Sequence, residues 1–411
     1  MGINIHRLKN HLDQLALIGA TADGGVTRPS LTPEYLKARD QVARWMEEAG
    51  LTPRTDAIGN LIGRREGKIA GAPAILVGSH IDTVVNGGKY DGTVGVLGGI
   101  EVARTLREQQ VVLDHPLEVI AFIEEESTRW PISTLGSHAM SGQIDVEKIL
   151  AVPDRDGITV AEALRSAGFD PGRIPEAARK PEEILAYVEL HIEQGAVLES
   201  LHLPVGVVTG IAAQVIMELT LTGRTDHAGA TPMHLRKDAL AGAAEIIINI
   251  RELAKKAGPD SVATVGHLEV KPGALNAVPG EVFMTLDIRD IRQQTRDRLV
   301  TDITDMIRKT AEKHHLSCDL KETSRLIPVM LPENMVNIIA AACQKLELPV
   351  HKMPSGASHD AQNMAAITDA GMIFVRSRNG ISHSPLEYSS TEDIAAGTEV
   401  LYETVIILDK R

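Results

Sequence analysis

Residues 72–123 constrain the fold most. Ala72 to Gly78 is a short apolar run, Val94 to Arg107 has helical periodicity, and Leu117 to Ile123 is a second apolar run. Runs of this length bounded by turn residues read as buried strands. Strand, helix and strand in that order predict a mostly parallel sheet covered by helices, an α/β fold. A helix precedes this unit. Thr32 serves as its N-cap, Pro33 as its first residue and Glu34 as an acidic first turn, and it stops at Gly50.

The middle of the chain follows another pattern. Gln214 to Thr222 alternates apolar and polar residues, Ala239 to Lys256 is helical, and Val262 to Val270 and Val282 to Ile288 read as strands. A helix over Gln293 to His314 follows, and the strand Gly371 to Val375 resumes the first style. With 411 residues, two or three domains of about 150 residues fit. The expected organisation is a discontinuous α/β domain, residues 1–209 and 326–411, with a smaller inserted α+β domain at 210–325.

Charge and composition exclude several functions. A net charge of −13 disfavours nucleic acid, and 3% aromatic residues disfavour a base-stacking surface. No apolar run approaches the length of a membrane span. Two cysteines, Cys318 and Cys343, indicate no disulfide framework and suit a reducing compartment. The start lacks the charged and apolar segments of a signal peptide, so a cytoplasmic location is expected.

The chemistry concentrates at strand ends. Gly78-Ser79-His80-Ile81-Asp82-Thr83 closes the first strand, and residues i and i+2 of a strand share a face. His80 would ligate a metal, with Asp82 holding its other ring nitrogen. Asp91, on the Gly-rich loop that follows, would offer its two oxygens to two metals. Taken alone, His80-Ile81-Asp82 fits a capping Asp and a surface His better than a metal site, because so short a pattern is common by chance. The second strand ends in Glu124-Glu125-Glu126. Three adjacent carboxylates repel one another unless solvated or neutralised by cations. They are either a solvated loop or a metal ligand beside a proton carrier. His191, His359 and His383 each follow a strand or a glycine, and each alone could be structural; His6, His314 and His315 read as surface residues.

Together these segments resemble the M20-type metallohydrolases, and among them the N-carbamoyl-L-amino-acid hydrolases, allantoate amidohydrolases and β-ureidopropionases. The resemblance runs from Gly24-Gly25-Val26-Thr27-Arg28 through His191-Ile192-Glu193-Gln194-Gly195 and His227-Ala228-Gly229-Ala230-Thr231-Pro232-Met233 to Gly380-Ile381-Ser382-His383-Ser384-Pro385. It implies that His80, Asp91 and His191 hold one divalent metal, that Asp91, Glu126 and His383 hold a second, and that Asp91 bridges them. Zinc, manganese, cobalt and nickel all accept such donors. It implies Glu125 as general base and Gln194, Asn276 and Arg289 as holders of a substrate carboxylate. Gly356 and Ala357 would line the substrate pocket. His227 would be lent by the inserted lid and dimerisation domain of a partner subunit, making the protein a homodimer. His191, where the peptidases carry a carboxylate, points to the ureido-cleaving branch.

The implied activity is hydrolysis of the C–N bond of an N-carbamoyl-L-amino acid, a small carboxylate-bearing ureido compound, to amino acid, ammonia and carbon dioxide. Allantoate, β-ureidopropionate, N-acyl-amino acids and dipeptides are the alternative substrates. The chain departs from the family at Glu124, Ser127, Trp130-Pro131 and His138, near the expected pocket.

Overall fold

A computed structural model describes residues 2–411. It divides the chain into two compact units. The first runs to Thr209 and resumes over Leu331–Met353 and His359–Arg411. The second comprises Gly210–Met330 and Pro354–Ser358. Residues 326–330 and 354–358 thus cluster with the second unit, not with the flanking segments. Backbone pairing explains this: the Leu326 N–H donates to the Gln214 carbonyl at 3.0 Å, and the Ala212 N–H donates to the Ser355 carbonyl at 2.8 Å.

The expected mostly parallel sheet is present. Leu117–Phe122, Ala74–His80, Ile184–Ile192 and Ala370–Val375 lie side by side in that order, all parallel. Leu61–Arg65 joins one side antiparallel and carries Thr52–Thr55 as the edge; Val205–Ile211 joins the other side antiparallel. Ala74–His80, Leu117–Phe122 and Ala370–Val375 are buried at every residue, which is why they read as continuous apolar runs and not as alternations. Helices Thr93–Glu108 and Thr391–Leu408 pack on these strands. The helix Pro33–Ala49 carries the expected devices: Thr32 Oγ1 accepts the Tyr35 N–H, and Gly50 ends the helix in the left-handed region at φ 86°.

The second unit is a four-stranded antiparallel sheet in the order Ser317–Arg325, Ala213–Thr222, Glu281–Asp290, Val262–Lys271. The two central strands alternate strictly between buried and half-exposed residues. Their buried faces, Val215 to Leu221 and Val282 to Ile288, form one core with Ile246, Ile250, Ile303 and Ile307 of the helices Ala239–Ala257 and Gln293–Lys313. Among the described residues no helix is long and apolar enough to cross a membrane.

Candidate metal centre

In the first unit, the carboxyl ends of adjacent parallel strands bring the candidate ligands together. His80 ends Ala74–His80, His191 lies near the end of Ile184–Ile192, and Glu124 to Glu126 follow Leu117–Phe122. Open α/β sheets build their sites at such ends. Asp91 sits just before the helix Thr93–Glu108. Gly92, at φ 64°, must be glycine on two counts: its backbone is left-handed, and a Cβ would lie 2.4 Å from the His80 ring.

Asp91 is the centre of the constellation. Its Oδ1 lies 3.0 Å from His191 Nε2 and 3.7 Å from His80 Nε2. Its Oδ2 lies 3.2 Å from His383 Nε2, which is 3.3 Å from Glu126 Oε2. The donor atoms of His80, Asp91 and His191 fall within 4.8 Å of one another, and so do those of Asp91, Glu126 and His383.

The hydrogen bonding of this cluster fits cations. His191 Nδ1–H donates to the Ile192 carbonyl at 2.9 Å, and His80 Nδ1–H donates to the Asp82 carbonyl at 3.1 Å. Carbonyls only accept, so each neutral ring turns the lone pair of Nε2 toward Asp91. Asp91 Oδ1 is buried and makes no hydrogen bond of acceptable geometry, despite its nearness to His191. Lone pairs converging on one point with no proton between them suit a divalent metal bound by imidazole and carboxylate.

Electrostatics agree. Burial, and then the neighbouring Asp91 charge, pushes the Glu126 carboxyl up to about 8. Burial also raises the Glu125 carboxyl well above its ordinary range, with Glu126, Asp360 and Asp82 adding to the effect. Burial alone would raise Asp91 as well, but the adjacent imidazoles of His191, His383 and His80 hold it well below the usual carboxylate range. A cation here would remove the cost of crowding these carboxylates. Glu125 Oε2 lies 3.8 Å from His80 Nε2, beside the ligand cluster.

Several residues differ in detail from expectation. Asp82 holds His80 through its backbone carbonyl, and its carboxylate stands 3.7 Å from the ring nitrogen. Asp82 Oδ2 instead accepts the N–H groups of Glu125 and Glu126 at 3.1 and 3.2 Å, fixing the turn that aims both glutamates. Gln194, expected at a substrate carboxylate, donates from Nε2 to Asp91 Oδ2 at 2.8 Å and leaves its Oε1 without a hydrogen bond. Glu124 turns away from the ligand cluster, and its Oε1 caps the N–H groups of Arg129 and Trp130 at 3.0 Å. Trp130 is buried and donates to the Ile158 carbonyl at 3.1 Å. His138 is half-buried, and burial lowers its pKa.

Three residues escaped sequence reasoning. Glu189, buried in mid-strand, accepts from Ser79, Tyr187 and the Ala361 N–H. An acid inside an otherwise buried strand was the available signal. Asp360, also buried, accepts from Ser137 at 2.6 Å. Glu387 lies behind Asp91 and had no signal beyond its place four residues after His383. His359 packs its ring on that of His191, centroids 4.4 Å apart.

The second unit holds the remaining candidates. His227 is exposed, and its Nδ1 accepts the N–H groups of Gly229 and Ala230 at 3.1 and 3.2 Å, which places the ring proton on Nε2. Asn276 lies just outside the two-stranded ladder that pairs His227 with Ala277, its carbonyl accepting the Ala228 N–H at 2.9 Å. Arg289 lines a groove of about 510 Å³ together with Ile216, Thr264, Thr285 and Gly356. Asp287 accepts from Arg289 Nε and Nη2 at 2.9 and 2.7 Å, and the Gly356 carbonyl accepts from Nη1 at 2.9 Å. Ala357 is half-buried, and its N–H donates to Ser355 Oγ.

Residues 76–406 match the model of the peptidase family M20/M25/M40. The chain is 48% identical to an N-carbamoyl-L-amino acid amidohydrolase of Geobacillus stearothermophilus, over 97% of each chain. It is 43% identical to an N-carbamoyl-L-amino-acid amidohydrolase of a Pseudomonas species, over 98% of each. The crystal structure of an amidase of the hydantoinase/carbamoylase family from Burkholderia multivorans superposes with a TM-score of 0.95 at 35% identity, covering 100% of this chain and 99% of that one. With ligand-type side chains gathered at the strand ends of this fold, the chain belongs to the M20 family of metallohydrolases.

Proposed function

We propose that this protein hydrolyses N-carbamoyl-L-amino acids to the amino acid, ammonia and carbon dioxide, using two divalent metal ions per chain. The observation that carries the reading is Asp91 standing between two donor groups, His80 with His191 and Glu126 with His383, next to the buried Glu125. The names of the two amidohydrolase relatives support the substrate class.

In this reading His80, Asp91 and His191 would hold one ion, and Asp91, Glu126 and His383 the other. Metals held there would supply Lewis acidity, which favours attack by water on the carbamoyl group near neutral pH. Glu125 takes the proton of that water as it attacks the carbamoyl carbon and delivers it to the departing nitrogen. One water is consumed, and the carbamic acid released breaks down to ammonia and carbon dioxide. His227, with its proton on Nε2, donates to the oxygen as charge develops there, a contribution of about 3–4 kcal/mol per donor in comparable sites. It is lent by the partner copy in a homodimer.

Arg289 meets the substrate carboxylate. Asp287 occupies its Nε/Nη2 edge and the Gly356 carbonyl takes one Nη1 hydrogen, which pre-orients the guanidinium and leaves one hydrogen each on Nη1 and Nη2 for a second carboxylate. Gln194, Asn276, Gly356 and Ala357 complete the substrate site. The free cysteines Cys318 and Cys343 suit a reducing cytoplasm.

The test is a turnover screen of metal-loaded protein against N-carbamoyl-L- and D-amino acids, allantoate, β-ureidopropionate and N-acetyl-amino acids. N-carbamoyl-L-amino acids should give the highest kcat/KM. Turnover confined to allantoate or to acetyl compounds would reject the substrate assignment.

A further inference from the structure

Asp91 and His383 come from loops almost 300 residues apart in sequence, and one buried side chain joins those loops. Glu387 Oε1 accepts the N–H groups of both Tyr90 and Asp91, at 3.0 and 3.1 Å. Its Oε2 accepts the Ser382 hydroxyl at 2.7 Å, and the same hydroxyl lies 3.0 Å from Asp91 Oδ2. The carboxylate therefore grips the backbone of the Asp91 loop with one oxygen and the residue before His383 with the other. Space is reserved for it: a Cβ on Gly88 would lie 2.0 Å from Glu387 Oε1.

His383 needs such support. Its side chain is 49% exposed, and its backbone is left-handed at φ 56°. A non-glycine residue in that conformation is held by its surroundings and not by its own preference. His80 and His191 are buried, and each has a ring hydrogen bond to a backbone carbonyl. The corresponding restraint on His383 comes through its loop.

We infer that Glu387 is a positioning residue that latches the Asp91 loop to the His383 loop and sets the geometry of the metal those two residues hold. This rests on the two-metal reading above. Glu387 touches neither substrate nor metal; it acts through Ser382 and the Asp91 backbone. Losing such a partner costs metal affinity by about 10–100-fold. The effect is selective, because the donors His80 and His191 are anchored independently.

The experiment is metal analysis of the full-length protein in a graded zinc buffer, with the melting temperature of each metal-free variant as control. Wild type should hold two zinc ions. Glu387→Ala should lose one of them at free zinc about 10–100-fold higher than wild type does, and hold the other as wild type does. Glu387→Gln keeps an oxygen for the two amides and an NH₂ for Ser382, and should retain both ions. Gly88→Ala alters no polar group but displaces the latch, and should weaken the same single ion. If Glu387→Ala binds both ions like wild type, or weakens both equally, or is matched in its defect by Glu387→Gln, the latch is wrong. A wild type that binds fewer than two ions would overturn the two-metal reading itself, and the latch with it.

Discussion

His191 Nε2 faces Asp91 Oδ1 at 3.0 Å while its Nδ1–H is committed to the Ile192 carbonyl at 2.9 Å. Two acceptors thus confront each other in a buried site, and a cation relieves the confrontation. Metal bound only by the folded chain stabilises it by mass action, by about 2.7 kcal/mol at a hundredfold excess over Kd. Chelation should therefore lower the melting temperature, and adding back zinc, manganese, cobalt or nickel should restore it. Calorimetry of chelated and reloaded protein checks this; identical melting curves would contradict it.

Glu125 and Glu126 adjoin in sequence but are proposed to have separate tasks. Glu126 Oε2 is 3.3 Å from His383 Nε2, whereas Glu125 Oε2 stands 3.8 Å from His80 Nε2. Glu125→Gln should keep its metals and lose at least the 10²–10⁴-fold typical of general acid–base catalysis. Glu126→Gln should lose metal affinity as well. Kinetics with metal counts on both variants decide the assignment; normal turnover by Glu125→Gln would refute it.

How far the sequence discloses this protein depends on where its signals come from. Strands such as Leu117–Phe122 and Glu281–Asp290 were legible because burial imposes a continuous or alternating apolar pattern. Ser317–Arg325 was not legible. It is an edge strand with few apolar residues, recruited through its ladder to Ala213–Thr222. The candidate ligands could be read because metals demand particular side chains at strand ends. The supporting shell could not: Glu387 and Asp360 reach their partners across more than 200 residues, and no local pattern marks them. Asp82 was read as the partner of the His80 ring, but which of its atoms takes that part, carbonyl or carboxylate, only coordinates show.

The proposed carboxylate contact of Arg289 bears on specificity. Asp287 engages its Nε and Nη2 and the Gly356 carbonyl one Nη1 hydrogen, so a substrate carboxylate at Arg289 would use the remaining hydrogens of a planar fork. Lysine has no such fork. Arg289→Lys should raise KM for N-carbamoyl amino acids far more than a change in charge would explain, since the charge is kept. For wild type, substrates with an amidated carboxylate should be poor. Equal kcat/KM for free-acid and amidated forms would remove Arg289 from the substrate site.

His227 tests the shared site. Glu125→Gln and His227→Ala should each be nearly inactive as homodimers. When the two are co-expressed, about half the dimers are mixed, and in each mixed dimer one site receives wild-type Glu125 and wild-type His227 from different chains. About a quarter of all sites should recover. Activity no higher than that of the separate variants, with subunit exchange verified, would place His227 in its own chain's site or outside catalysis.

The proposed role of metals held around Asp91 is to activate the water that cleaves the carbamoyl group. It is tested most directly by titrating a divalent metal into fully chelated protein while following ammonia release from an N-carbamoyl-L-amino acid and bound metal in the same samples. Ammonia release should be absent at the start and should rise with occupancy until two ions per chain are bound. Full turnover before any metal is bound would contradict the account.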